Sequence, residues 1–300
     1  GMLVENPNSG FDPEHPFKNR DPRFYHDIVF DGFQYVTETG LDKLNAEQKK
    51  LQYCDLYTGG AMRSVDNASS TGYFIQKLVP HQCNIGDKWY DWDWSLQTYI
   101  PYMRLADVYL MYAEARAAIA CANNSTNDFK ERPSYCPSMS AVDAINALRD
   151  RVNSMDYPME HIPAQFLTSP KSFMDEVRRE RAVELSFEGF RWNDLQRWLL
   201  LTEPPYTVKY SHEFERLEWG KYDPSLSFEK NNYDDKGKQL YPELRYTWDW
   251  FKTHDPKDAK VGNFHRKELI TRRLDSKHYW FPLPDKDTYL YEGYKQNPGW

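Results

Sequence analysis

Within Trp89-Tyr90-Asp91-Trp92-Asp93-Trp94, three indoles, a phenol and two carboxylates fall in six consecutive positions. Aromatic faces stack on the apolar faces of pyranose rings, and Asp oxygens accept hydrogen bonds from sugar hydroxyls. The competing reading is that these rings staple a loop to the helix that follows. Tyr35, Tyr53 and Tyr57 lie in the irregular stretch after Arg20-Asp21-Pro22-Arg23 and offer further rings. Trp89, Trp92, Trp94, Tyr35, Tyr53 and Tyr57 are therefore the candidate ligand-binding residues, although any single one is better explained by internal packing.

Catalytic chemistry has weaker support. Glu184 and Glu188 at helical spacing suggest an acid–base pair, but Arg181, Arg191, Asp194 and Arg197 recur on the same three-to-four-residue row. Such a row reads as a salt-bridged scaffold, so no catalytic residue is assigned. The eight histidines show no H-E-x-x-H spacing, and the four cysteines form no C-x-x-C pair. Neither a metal site nor a cofactor is expected from these patterns, and no Gly-rich phosphate loop or G-x-S-x-G elbow is present. Cys54, Cys83, Cys121 and Cys136 read as ordinary buried thiols, with a Cys121–Cys136 bridge across a polar loop left open.

These residues need elements to hold them. Residues 2–99 are punctuated by Pro, Gly, Asn and Asp and read as loop-rich, with a short helix expected over 42–54 and an extended stretch over 71–79. Residues 99–122 contain no Gly, carry Pro101 suited to a first helical turn, and are apolar on more than one face, which predicts a helix packed on both sides. Tyr102, Leu105, Ala106 and Tyr109 fit the first half of a tetratricopeptide pattern. Ala141, Ile145 and Leu148, opened by Ser140 as a cap, supply its second helix, so 100–153 reads as one helix-pair repeat. A single repeat cannot bury its own face. A helix opened by Ser172 and ended near Gly189 and a second over 192–200 make up the block 171–200, and Pro204-Pro205 stops it. Residues 201–300 read as an aromatic-rich, loop-rich segment.

Composition narrows the function further. With 38 basic and 45 acidic residues the net charge is −7, which argues against nucleic acid and other acidic partners. Aromatic residues are 16% of the chain, an excess suited to a flat amphipathic ligand. No run approaches a membrane span, and the first residues lack the pattern of a signal peptide.

Six motifs in order carry a resemblance. They are Asn19-Arg-Asp-Pro-Arg-Phe24, Tyr73-Phe-Ile-Gln-Lys77, Pro101-Tyr-Met-Arg-Leu-Ala-Asp-Val-Tyr-Leu-Met-Tyr-Ala-Glu-Ala115, Ala144-Ile-Asn-Ala-Leu-Arg-Asp-Arg151, Glu180-Arg-Ala-Val-Glu-Leu-Ser-Phe-Glu-Gly-Phe-Arg191 with Asp194-Leu and Arg197-Trp, and Phe281-Pro-Leu-Pro284 with Gln296-Asn-Pro-Gly-Trp300. Together they resemble the SusD/RagB family. The resemblance implies a mainly α fold of tetratricopeptide-like helix pairs with an irregular loop-rich subdomain. It also implies a non-catalytic, lipid-anchored protein on the outer-membrane surface of Bacteroidetes that captures a glycan or other nutrient for polysaccharide utilisation. The implied partner is a SusC-like TonB-dependent transporter, with no cofactor and membrane contact only through a lipid anchor. Family members are commonly longer, so the chain reads as a carboxy-terminal portion, with Gly1 consistent with a tag remnant. Two other readings remain open: a module that docks the transporter without touching ligand, and an α-helical glycoside hydrolase.

Overall fold

Asp21 and Pro22 decide where the first helix begins. The Asp21 side chain accepts from the Arg23 backbone N–H at 3.0 Å, and Pro22 occupies a first-turn position where its missing N–H has no cost. The structure is a computed structural model and describes residues 4, 6–34, 53–63, 68–79, 100–153, 158–216, 255–290 and 293–300. Helix α1 (Pro22–Asp27) runs into β1 (Ile28–Val29), which pairs antiparallel with β2 (Phe74–Ile75), Ile28 opposite Ile75 and Val29 opposite Phe74. The extended stretch expected over 71–79 is thus a two-residue strand. The helix expected over 42–54 lies mostly outside the described residues, and Tyr53 forms an isolated antiparallel bridge with Gln34.

The helical layer follows. Helix α2 (Leu105–Asn123) packs against α4 (Ala141–Val152) and α5 (Pro170–Glu184), and a short α3 (Asn127–Lys130) sits in the connection between the paired helices. That connection is long because it plugs the core: Phe129 is buried and stacks on Phe173 of α5 at 4.3 Å. Ser140 caps α4 in a full capping box with Asp143, as its position predicts. Helix α2 starts four residues after Pro101, with Arg104 at its cap, so Tyr102 lies outside the helix and is almost fully exposed. Ala106, Leu110, Ala113, Ala117 and Ala120 form its buried stripe. The opposite apolar face, with Leu105, Val108, Met111 and Ile119, is exposed, contrary to the expectation of packing on both sides. Helix α5 begins before the expected Ser172: Ser169 Oγ accepts from the Ser172 N–H at 3.1 Å, and Pro170 is its first residue.

The chain forms two compact units. The larger contains residues 1–184 and 212–265; besides the helices it holds an aromatic core of Phe17, Phe30, Tyr57, Phe214 and Val261, edged by Phe24, Tyr25, Phe33, Tyr73 and Phe264. Phe17 lies 5.0 Å from Phe30 and 5.6 Å, edge-on, from Phe214, arrangements that suit the ring quadrupole. The smaller unit contains 185–211 and 266–300. It carries α6 (Arg191–Arg197), shorter than the helix expected over 192–200, and α7 (Asp285–Leu290). Strands β3 (Val208–Arg216) and β4 (Val261–Thr271) form a two-stranded sheet, and the division between units falls inside both. Within the loop-rich segment expected after residue 201, the β-branched and aromatic residues of these stretches suit a pleated ladder. Among the described cysteines Cys54, Cys121 and Cys136 are free thiols, so Cys121 and Cys136 are not bridged; Cys54 is buried as expected, whereas Cys121 is exposed on the outer side of its helix.

Candidate functional site

Five of the six sequence motifs prove to be one physical object built around α5. Arg149 of α4 is fully buried and donates to Glu180 Oε2 at 2.8 and 3.1 Å and to Glu176. Arg23 of α1 donates to Glu180 Oε1 at 2.7 Å and Glu184 Oε2 at 2.9 Å, and it is gripped from behind by Asp21. Arg104 and Arg151 both reach Glu184 Oε1, and Arg181 reaches Asp107 of α2. The Lys77 ammonium, 2.8 Å from Glu184 O, and the Arg104 guanidinium neutralise the carbonyl end of α5, which helps to explain why that helix stops there rather than at Gly189. Burial works against the charge on Glu180, yet Arg23, Arg149 and Arg179 hold its carboxyl below the usual glutamate value.

The predicted salt-bridged scaffold is therefore real in kind but different in wiring. Glu184 does not pair with its neighbours on one helical row; its partners come from 33, 80 and 161 residues away. Three arginines, Arg23, Arg104 and Arg151, thus converge on the one Glu184 carboxylate. Asp194 and Arg197 do pair locally as the row suggests, at 2.9 Å.

A second buried ion cluster closes the aromatic core. Arg216 of β3 clasps Asp31 through Nε and Nη2 at 2.9 and 2.7 Å, donates to Asp55 at 2.8 Å, and lies 4.6 Å from the centre of the Tyr57 ring. Burial, with Asp31 nearby, pushes the Asp55 carboxyl up to about 6 despite Arg216.

This arrangement settles where two candidate residues lie. Tyr53 and Tyr57 are 5% and 4% exposed, so their rings belong to the interior and not to a stacking surface in this conformation. Trp89, Trp92, Trp94 and Tyr35 lie outside the described residues. Among the described residues no group of three or more His, Cys, Asp or Glu side chains is placed to hold a metal ion.

Exposed rings gather instead in the smaller unit, where 13 of 62 residues are aromatic, above the 16% of the whole chain. Trp280, Phe281, Tyr289, Tyr294 and Trp300 are all exposed, Tyr289 at 87% and Trp280 at 61%. Their backbone is tied down: Trp300 Nε1 donates to Lys277 O at 3.0 Å and Trp280 O at 2.9 Å, Gln296 bonds both N–H and C=O of Leu283, and Asn297 reaches Phe281 O. The Phe281–Pro284 and Gln296–Trp300 motifs are thus a hydrogen-bonded clasp that ties the backbone at Trp280, Phe281 and Leu283 and anchors the Trp300 indole. Reasoning from local aromatic density favoured residues 89–94 and passed over this set, whose members are spread over 21 residues.

Comparison with known proteins agrees with this architecture. Residues 7–300 match the SusD family. A crystal structure of a SusD-like protein from Bacteroides fragilis matches with a TM-score of 0.58 at 21% identity, over 95% of this chain and 40% of that one. A SusD homolog from Bacteroides thetaiotaomicron matches at 20% identity over 93% of this chain and 41% of its own, with a TM-score of 0.40. No curated protein matches. The chain spans about two-fifths of the length of these solved relatives. With the family match running almost end to end, the mainly helical fold shared with a solved SusD-like structure, and five motifs converging on one buried ion network, the chain belongs to the SusD family.

Proposed function

We propose that the chain is part of a non-catalytic receptor on the outer-membrane surface, which captures a glycan and passes it to a SusC-like TonB-dependent transporter. The observation that carries this reading is the set of exposed rings Trp280, Phe281, Tyr289, Tyr294 and Trp300 in a member of the SusD family. Exposed aromatic faces suit stacking on the apolar face of a sugar, and the tied backbone beneath Trp280 and Phe281 limits what must be ordered on binding. Attachment through a lipid anchor, as membership of the family suggests, is part of the proposal; among the described residues no helix is long and apolar enough to cross a membrane.

Native affinity electrophoresis through gels holding plant, host and microbial glycans tests it. Retardation by at least one glycan class is expected, weakened by Trp280→Ala and by Tyr289→Ala. No retardation by any glycan would overturn the reading. The exposed apolar face of α2, with Leu105, Val108, Met111 and Ile119, favours a second reading in which the chain docks a protein partner without touching ligand. Copurification with a large outer-membrane barrel in the absence of glycan binding would select it.

A further inference from the structure

Unpaired positive charge marks one place in the smaller unit. Arg23, Arg149, Arg181 and Arg216, the buried arginines of the larger unit's ion clusters, each face a carboxylate. Arg191, Lys209 and Arg272 of the smaller unit do not: among the described residues none of the three has a carboxylate within ion-pair distance. Asp194 acts on Arg191 from further away, but its Oδ1 is bonded to Arg197 at 2.9 and 3.0 Å.

Two of the three cations, Arg191 and Arg272, contact Tyr206, and Lys209 follows it three residues along the chain. Arg191, the first residue of α6, places its guanidinium carbon 5.4 Å from the centre of the Tyr206 ring and 6.0 Å from that of Trp198. Arg272, just past the end of β4, donates its backbone N–H to Thr207 O at 3.0 Å and its Nη2 to Tyr206 O at 3.2 Å, while its Nε is buried without a protein acceptor. Lys209, the second residue of β3, is close enough that Arg272 and Arg191 add to burial in pushing its ammonium below the usual lysine range. Like charges brought together repel, and an anion seated among them reverses the sign of that interaction. The unit holds ten basic against eight acidic residues in a chain of net charge −7, so the whole-chain charge conceals a locally basic surface.

We infer that Arg191, Lys209 and Arg272, beside Tyr206, form a seat for the anionic substituent of a sugar, a carboxylate or a sulfate ester. The inference rests on the glycan-capture reading and adds its substrate class: acidic glycans such as polyuronates or sulfated polysaccharides. Guanidinium groups offer paired donors that match the oxygens of either anion, and the adjacent rings supply an apolar surface for the sugar that bears it.

Lys209→Ala is the principal test, because this exposed side chain makes no hydrogen bond that folding requires, with Arg191→Gln as the second variant. The 300-residue chain and both variants, each shown by circular dichroism to melt like the parent, are run through gels containing polygalacturonate, a sulfated galactan or a neutral galactan, and are floated with phosphatidylglycerol vesicles. The expected result is tighter binding to an acidic than to the neutral glycan, weakened about tenfold or more in either variant and by added salt, with neutral-glycan binding unchanged. Equal binding of neutral and acidic glycans, untouched by the variants, would overturn the anion seat while leaving glycan capture intact. Failure of every glycan would overturn glycan capture and the seat with it. Variant-sensitive flotation with vesicles, without acidic-glycan binding, would reassign the cluster to lipid headgroups.

Discussion

Replacing Arg149 by Met asks whether the ion network around α5 holds the helices together. Arg149 is fully buried, and its guanidinium serves Glu176, Glu180 and, at 3.4 Å, Glu160 O. In the variant Glu180 keeps Arg23 at 2.7 Å and Arg179 at 3.3 Å, and Glu176 keeps Arg179 at 2.8 Å. Removing one member of a buried pair costs about 3–5 kcal/mol, and these surviving partners place the expected loss near the lower end, about 3 kcal/mol. At about 2–4 °C per kcal/mol, the melting temperature falls by about 6–12 °C. Urea unfolding followed by far-ultraviolet circular dichroism at pH 7 measures the loss. The double variant Arg149→Met with Glu180→Gln should cost less than the sum of the singles by more than about 1 kcal/mol, because the neutral amide no longer needs the cation. The sign with pH follows from Glu180, whose carboxyl is held below its usual 4.5 in the folded state. Its stabilisation is present above that value and is lost as pH falls through the folded value, so the gap between parent and variant narrows in acid. A loss below about 1 kcal/mol at pH 7, or strict additivity in the double variant, would refute the reasoning.

Two further outcomes are expected. Asp55, with its carboxyl raised from 3.8 to about 6, takes up protons in the folded state before the unfolded one, so its contribution to stability declines as pH rises between those values. Asp55→Asn keeps an oxygen for Arg216 and should remove that decline, leaving the protein as stable at pH 7 or more so by up to about 2 kcal/mol; a loss beyond about 1 kcal/mol in urea unfolding would contradict this. Gly72 has φ +88°, and a Cβ there would lie 2.9 Å from the His212 carbonyl oxygen, so Gly72→Ala should cost about 1–3 kcal/mol by the same assay, and an unchanged midpoint would argue against the close approach of these backbones.

Periodicity and caps exposed the helices well, since Ser140 with Asp143 and the apolar stripes of α4 and α5 are local signals. The start of α2 was harder to read, because Pro101 suits a first turn while Arg104 stays extended at the cap and reaches Glu184. The ion network was half legible: its residue types stood in the motifs, but which carboxylate met which arginine depends on tertiary contacts that spacing does not encode. The same limit applied to the rings. Tyr57 looked like a surface platform in a loop-rich segment, and only the approach of Phe214 and Arg216 from far along the chain makes it core. The cation cluster was invisible for a related reason, because Arg191, Lys209 and Arg272 lie on three separate elements and the overall charge is negative.

The clasp of Arg216 on Asp31 spans 185 residues, and it sets a schedule for the chain as it leaves the ribosome. Asp31 offers its oxygens to the Leu56 and Tyr57 backbone early, but the cation that neutralises it is translated last among these partners. At roughly 5–20 residues per second, that interval is on the order of 10–40 seconds. During it the rings around Phe17 lack Phe214 and the Asp31–Asp55 pair lacks its counter-ion, so the nascent segment presents apolar and acidic surface together. A factor that shields such a segment during synthesis would raise the yield of folded protein more than one acting after release.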